Sequence, residues 1–217
     1  MKDLTKGKPS RLILAFALPI FLANLLQLTY SLVDTRIVGS FLGEDALAAV
    51  GATSSLSNLI IGFLMGLSNG FAIVTAQRFG AKDLRGVKKS FAMSLTLGTA
   101  VAAGLTVLGL LFLQPILRFL NVPENLRTMA GSYIVIIIAG LIATFLYDAC
   151  AAALRALGDT ITPLVILAIS VILNIAGDLF FVVVLITWVR GAAVSTVSAQ
   201  AWEFVLFWID MRIRYLG

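Results

Sequence analysis

From Leu12 to Val33 the chain carries no charge, and Asp34 closes the run. A helix of that length spans the hydrocarbon core of a bilayer and is too long for the apolar core of a signal peptide. No small-residue cleavage site follows, so the segment is expected to be retained as a membrane helix. Within it lie Asn24, Gln27 and Ser31, which together with Asp34 fall in one quadrant at about 100° per residue. Such a stripe must face protein or water, and an ionisable group on it is costly enough to mark a functional position. Asn24, Gln27 and Ser31 are therefore expected to line a cavity that ends at Asp34.

Five further apolar runs follow, the fourth span with Asp148 near its end, the fifth interrupted by Asp178 and the sixth by Glu203. The spans expected are 11–38, 48–77, 88–117, 126–154, 160–187 and 191–211, which describes an all-α, polytopic membrane protein made of one six-helix lobe. Composition agrees: 60% of residues are hydrophobic, 12% are charged and mean hydropathy is +1.03. A soluble domain carries about twice that charged fraction. There is no His, which removes imidazole ligation and His-based catalysis, and the lone Cys150 has no partner for an internal disulfide. No catalytic constellation is expected. Tyr147-Asp148 and Gly158-Asp159 resemble fragments of the intramembrane aspartyl protease motifs, but Asp159 falls in a turn just after the helix that carries Asp148, so the two acids do not meet from different helices.

Basic residues set the orientation. With the N-terminus cytoplasmic, the inner side holds Lys2, Lys6, Lys8, Arg11, Arg78, Lys82, Arg85, Lys88, Lys89, Arg155, Arg212 and Arg214, and the outer side only Arg36, Arg118, Arg127 and Arg190. The chain is thus expected to be a multi-pass protein of the inner (plasma) membrane with both termini cytoplasmic. The net charge of +5 is a topology signal, and nucleic acid is not expected as a partner.

At about 1.5 Å per residue, Asp34 lies roughly 35 Å along its helix from Arg11, and Asp178 roughly 27 Å from Thr160. Tyr133 and Thr196 fall about 8 Å below the outer starts of their own helices. Asn174 and Asp178 are four apart and share a face. Two acids, an amide, a phenol and a hydroxyl at one depth suit a proton or a hard cation such as Na⁺, provided the helices bring them together. Gly62, Gly66 and Gly70 form overlapping GxxxG steps, which are read as close helix packing. Glu203 has no evident partner in sequence.

The stretches Ala17-Leu18-Pro19-Ile20, Asn24-Leu25-Leu26-Gln27, Leu32-Val33-Asp34-Thr35 and Ala46-Leu47-Ala48-Ala49-Val50-Gly51 resemble the first two helices of MATE-family multidrug efflux transporters. Arg155-Ala156-Leu157-Gly158-Asp159, Asn174-Ile175-Ala176-Gly177-Asp178 and Gly191-Ala192-Ala193-Val194-Ser195-Thr196 extend the likeness along nearly the whole chain. The pattern is similar to the prokaryotic branch related to DNA-damage-inducible protein F. The resemblance implies a secondary antiporter, not an enzyme, that exports cationic or amphipathic drugs as H⁺ or Na⁺ enters, with no cofactor beyond that coupling ion. By position it makes Asp34, Tyr133, Asn174, Asp178 and Thr196 the cation site, with Na⁺ resting on Asp34, Asn174, Asp178 and Thr196. Pro19 is a hinge candidate because it removes a helix hydrogen bond.

The family carries twelve helices in two lobes, so the partners expected are an organic cation, the lipid bilayer and a second lobe, absent here or supplied by homodimerisation. Arg36, Asp148, Glu203 and the short turn from Ile186 to Arg190 depart from the family pattern. The alternatives are a truncated, inactive half-transporter or a membrane interaction partner. A lipid-linked precursor flippase of the same superfamily is a further alternative, disfavoured by the near absence of Arg and Lys within the spans.

Overall fold

The computed structural model describes residues 9–185 and 188–216, and no strand occurs among them. The α-helices described are α1 (Pro9–Leu42), α2 (Glu44–Gly80), α3 (Leu84–Leu111), α4 (Leu113–Phe119), α5 (Glu124–Ala139), α6 (Leu141–Ala156), α7 (Ile161–Asp178) and α8 (Trp188–Met211). Leu179–Val184 and Arg212–Leu216 prolong α7 and α8 as π-helical turns. Helices α1, α2, α3, α7 and α8 are each long and apolar enough to cross a bilayer, and α5 with α6 makes a sixth crossing with a 45° bend. The protein is therefore an all-α, multi-pass membrane protein.

Charge does not set the helix ends; backbone chemistry does. Helix α1 runs through Asp34 and Arg36 and stops only at Gly43, whose φ of 86° is open to glycine without strain. The third run breaks at Phe112, before the short α4, instead of continuing straight to residue 117. The fourth crossing turns a corner at Gly140, where Val197 of α8 occupies the place a Cβ would take. The Gly140 amide is shared by the carbonyls of Ile136 and Ile137 at 2.9 and 3.1 Å, and Thr106 Oγ1 of α3 donates to the Ile138 carbonyl at 3.0 Å. In apolar surroundings such substitutes are what make a broken helix tolerable.

Asp159 caps α7: its carboxylate accepts from the Ile161 and Thr162 amides at 3.2 and 3.0 Å and from Thr162 Oγ1 at 2.7 Å. Asp159 is a helix-starting residue, consistent with setting the protease motif aside.

Helix α2 stands in the middle against α3, α5 and α6; α7 pairs with α8, and α1 lies along α7. The main core joins Leu64 and Ala102 to Ile134, Ile138, Leu141 and Phe145. The glycine reading is corrected: nothing lies within 4 Å of a Cβ placed at Gly62, Gly66 or Gly70, and all three are exposed. Leu64 and Ser68, on the other face of α2, take the packed position. Lys2, Lys6 and Lys8, which enter the orientation argument, and Ile186 and Thr187 of the short turn lie outside the described residues.

Candidate functional site

Asp178 is the last residue of α7 and is 0% exposed. Immediately after it the backbone widens into the π-helical turn, a distortion that recurs at functional positions. One turn earlier on the same face, Asn174 is 3% exposed. In the amide orientation that satisfies both of its polar atoms, its nitrogen donates to Asp178 Oδ2 at 2.7 Å and its oxygen accepts from the Thr196 backbone N–H at 3.2 Å. The spacing of Asn174 and Asp178 is thus realised as a direct bond, and α8 is joined to it.

The two helices can approach this closely because residue 177 is glycine. A Cβ there would lie 2.5 Å from Ser195 Oγ. That hydroxyl donates to the Asn174 carbonyl at 2.9 Å and contacts the Asp178 carboxyl group as well.

Helix α1 brings the second acid. The carboxyl groups of Asp34 and Asp178 come within hydrogen-bonding reach of each other, and one oxygen of each, Oδ1, is buried without a partner. Among the described residues no basic side chain pairs with either acid, and Arg36 points outward, exposed. Ile37, Val38, Ala46, Val182, Val189 and Ala192 close an apolar cap around this end of α1. Tyr133 of α5 packs against that cap and stands close to both acids.

Thr196 donates to the Ala192 carbonyl at 3.0 Å, which leaves the Tyr30 hydroxyl to donate to Thr196 Oγ1 at 3.1 Å. Tyr30 is a site neighbour that the sequence reading missed. Its signal was its spacing, one helical turn before Asp34.

The arrangement is two carboxyl groups, an amide and four hydroxyls from α1, α5, α7 and α8, with two buried oxygens uncommitted. No group of three or more His, Cys, Asp or Glu side chains suited to a metal exists among the described residues. The donor set fits a proton or one small hard cation carried as cargo, held between oxygens that the fold leaves open.

Of the stripe on α1, Asn24 and Gln27 face a cavity of about 310 Å³ nearer the α6–α7 turn, and Gln27 also borders a smaller one of about 50 Å³ beside Asn174 and Thr196. Ser31 is exposed and lines neither. Pro19 lies inside an unbroken α1. Glu203 and Asp148 both border the larger cavity.

Comparison with known proteins gives a consistent picture. The chain is 34% identical to the Bacillus subtilis (strain 168) protein named probable multidrug resistance protein YoeA, over 96% of this chain and 46% of that protein. It is 31% identical to the protein of the same strain named probable multidrug resistance protein YpnP, over 95% of this chain and 47% of the other. The chain therefore spans about half the length of these relatives. A crystal structure described as MATE in the bent conformation superposes with a TM-score of 0.86 at 26% identity, covering 96% of this chain and 46% of that one. With the family model described as MatE matching residues 19–180, the chain belongs to the MatE family of multi-pass membrane transport proteins.

Proposed function

We propose that this chain is the cation-coupling lobe of a drug antiporter, in which entry of H⁺ or Na⁺ at Asp34 and Asp178 drives export of a cationic or amphipathic organic molecule. The observation that carries the reading is the meeting of Asp34 and Asp178 with Asn174, Thr196 and Tyr133 around two uncommitted carboxyl oxygens. Ionisable groups inside a membrane protein, facing one another away from any basic partner, mark ion pathways. A proton or Na⁺ bound there relieves the repulsion between the acids and draws the outer end of α1 onto α7. Loss of the ion lets the ends separate, with Pro19 the place where α1 can bend. Substrate sits on the Asn24 and Gln27 side of α1, against a second lobe contributed by the rest of a longer chain or by a second copy. Both termini of the lobe are cytoplasmic in this reading.

The test is movement of a fluorescent organic cation across proteoliposomes under an imposed H⁺ gradient and then a Na⁺ gradient. Gradient-driven movement by the chain, lost in Asp34→Asn and in Asp178→Asn, is the result expected. Movement that persists in both variants removes the pair from coupling.

A further inference from the structure

Two other acids are buried in the lobe, one of them, Glu203, about 10 Å along α8 from Thr196. Glu203 is 5% exposed and Asp148, on α6, is 7% exposed. Glu203 meets Ser170 of α7 and lies within electrostatic range of Asp148. Asp148 accepts no hydrogen bond among the described residues, and its neighbour of opposite charge, Arg155, forms no ion pair with it within 4 Å. Both acids open onto the 310 Å³ cavity, beside Tyr147 and Phe207. Arg155 lines the same cavity, so its wall carries two carboxyl groups and one guanidinium. A buried carboxyl group that opens onto a cavity with no hydrogen-bond donor and no close ion pair is a place that a cation can occupy.

We infer that Asp148 and Glu203 anchor a site for a monovalent organic cation in this cavity, separate from the Asp34–Asp178 pair. The acids neutralise the charged centre, while Tyr147 and Phe207 offer ring faces to its apolar part. Gln27 and Tyr147 border both this cavity and the smaller one beside Asn174 and Thr196, so the two sites share walls without sharing acids. The cavity volume is at the small end of ligand pockets. The inference rests on the substrate class proposed above, but not on ion coupling.

Equilibrium binding of ethidium to the purified chain in nanodiscs, with no ion gradient, tests it. Saturable binding is expected, weakened about tenfold or more in Asp148→Asn and in Glu203→Gln and unchanged in Glu124→Gln, an exposed acid far from the cavity. Arg155→Gln removes the positive charge that lines the cavity and should tighten binding, a change of sign that misfolding does not produce. On the unaltered chain, ethidium should protect Asp148 and Glu203 from dicyclohexylcarbodiimide, read by peptide mass spectrometry. Absent binding, or binding and protection indifferent to both acids, overturns the inference. Ethidium binding with transport that persists in Asp34→Asn and Asp178→Asn sinks the coupling proposal and leaves this one standing; gradient-driven transport without binding at these acids does the reverse.

Discussion

The closest approach at the candidate site makes a sharp test of how α7 and α8 are held together. Gly177→Ala would place a methyl group 2.5 Å from Ser195 Oγ, 3.4 Å from Ser195 Cβ and 3.9 Å from its Cα. Overpacking of this kind costs about 1–3 kcal/mol, and the better helix propensity of Ala returns about 1 kcal/mol. The net destabilisation is therefore about 0–2 kcal/mol. Ser195→Ala alone forfeits the 2.9 Å bond to the Asn174 carbonyl, worth about 0.5–1.5 kcal/mol.

In the Ser195→Ala background the obstructing oxygen is gone, and the nearest remaining atom, Cβ at 3.4 Å, is in ordinary contact. There Gly177→Ala should become stabilising by up to about 1 kcal/mol. The double-mutant cycle thus predicts a coupling of about 1–3 kcal/mol with reversal of sign. Denaturant unfolding in mixed micelles, followed by tryptophan fluorescence, measures all four corners. An equal effect of Gly177→Ala in both backgrounds would refute the reasoning, because Ser195 Oγ would then not be what limits the approach of the helices.

Further perturbations probe other elements. Phe145→Ala empties a fully buried position whose ring fills the space beside Gly98, and should cost about 3–5 kcal/mol in the same unfolding assay. Asp159→Ala removes the cap of α7 and should cost about 1 kcal/mol, with Asp159→Asn recovering most of it. Thr106→Val leaves the Ile138 carbonyl without its hydroxyl partner and should cost about 0.6–1.7 kcal/mol, with faster amide exchange around Gly140. Tyr30→Phe removes one bond of 3.1 Å and should change stability by no more than about 1.5 kcal/mol while slowing ion-driven transport beyond that change.

The helical membrane architecture was legible because uncharged runs of bilayer length have few other fates. Boundaries were less so: the first span is expected to end near residue 38, yet the helix continues to Leu42 and stops where its backbone does, at Gly43. The bend at Gly140 left no mark in hydropathy, since α5 and α6 are both apolar and only a contact with Val197 requires the glycine. Asn174 and Asp178 declared their shared face through spacing alone. Their meeting with Asp34, Tyr133 and Thr196 depends on how four helices rotate about their axes, which no local pattern encodes. Glu203 and Asp148 looked like departures from the family pattern because their common cavity joins residues 55 positions apart. The GxxxG steps misled for the converse reason: the motif records permission for close approach, not which face a neighbour occupies.

The corner at Gly140 has a mechanical consequence. It is braced from three directions: by the shared amide, by the Thr106 hydroxyl and by Val197 seated in the notch. A joint so braced transmits torque instead of absorbing it, so α5 and α6 act as one bent lever with its fulcrum at mid-height. Tyr133 rides on one arm, beside the paired acids, and Asp148 on the other, in the wall of the larger cavity. A displacement of the first arm would be passed to the second across this corner, so the two polar regions of the lobe are joined by one bent element and by the side chains that brace it.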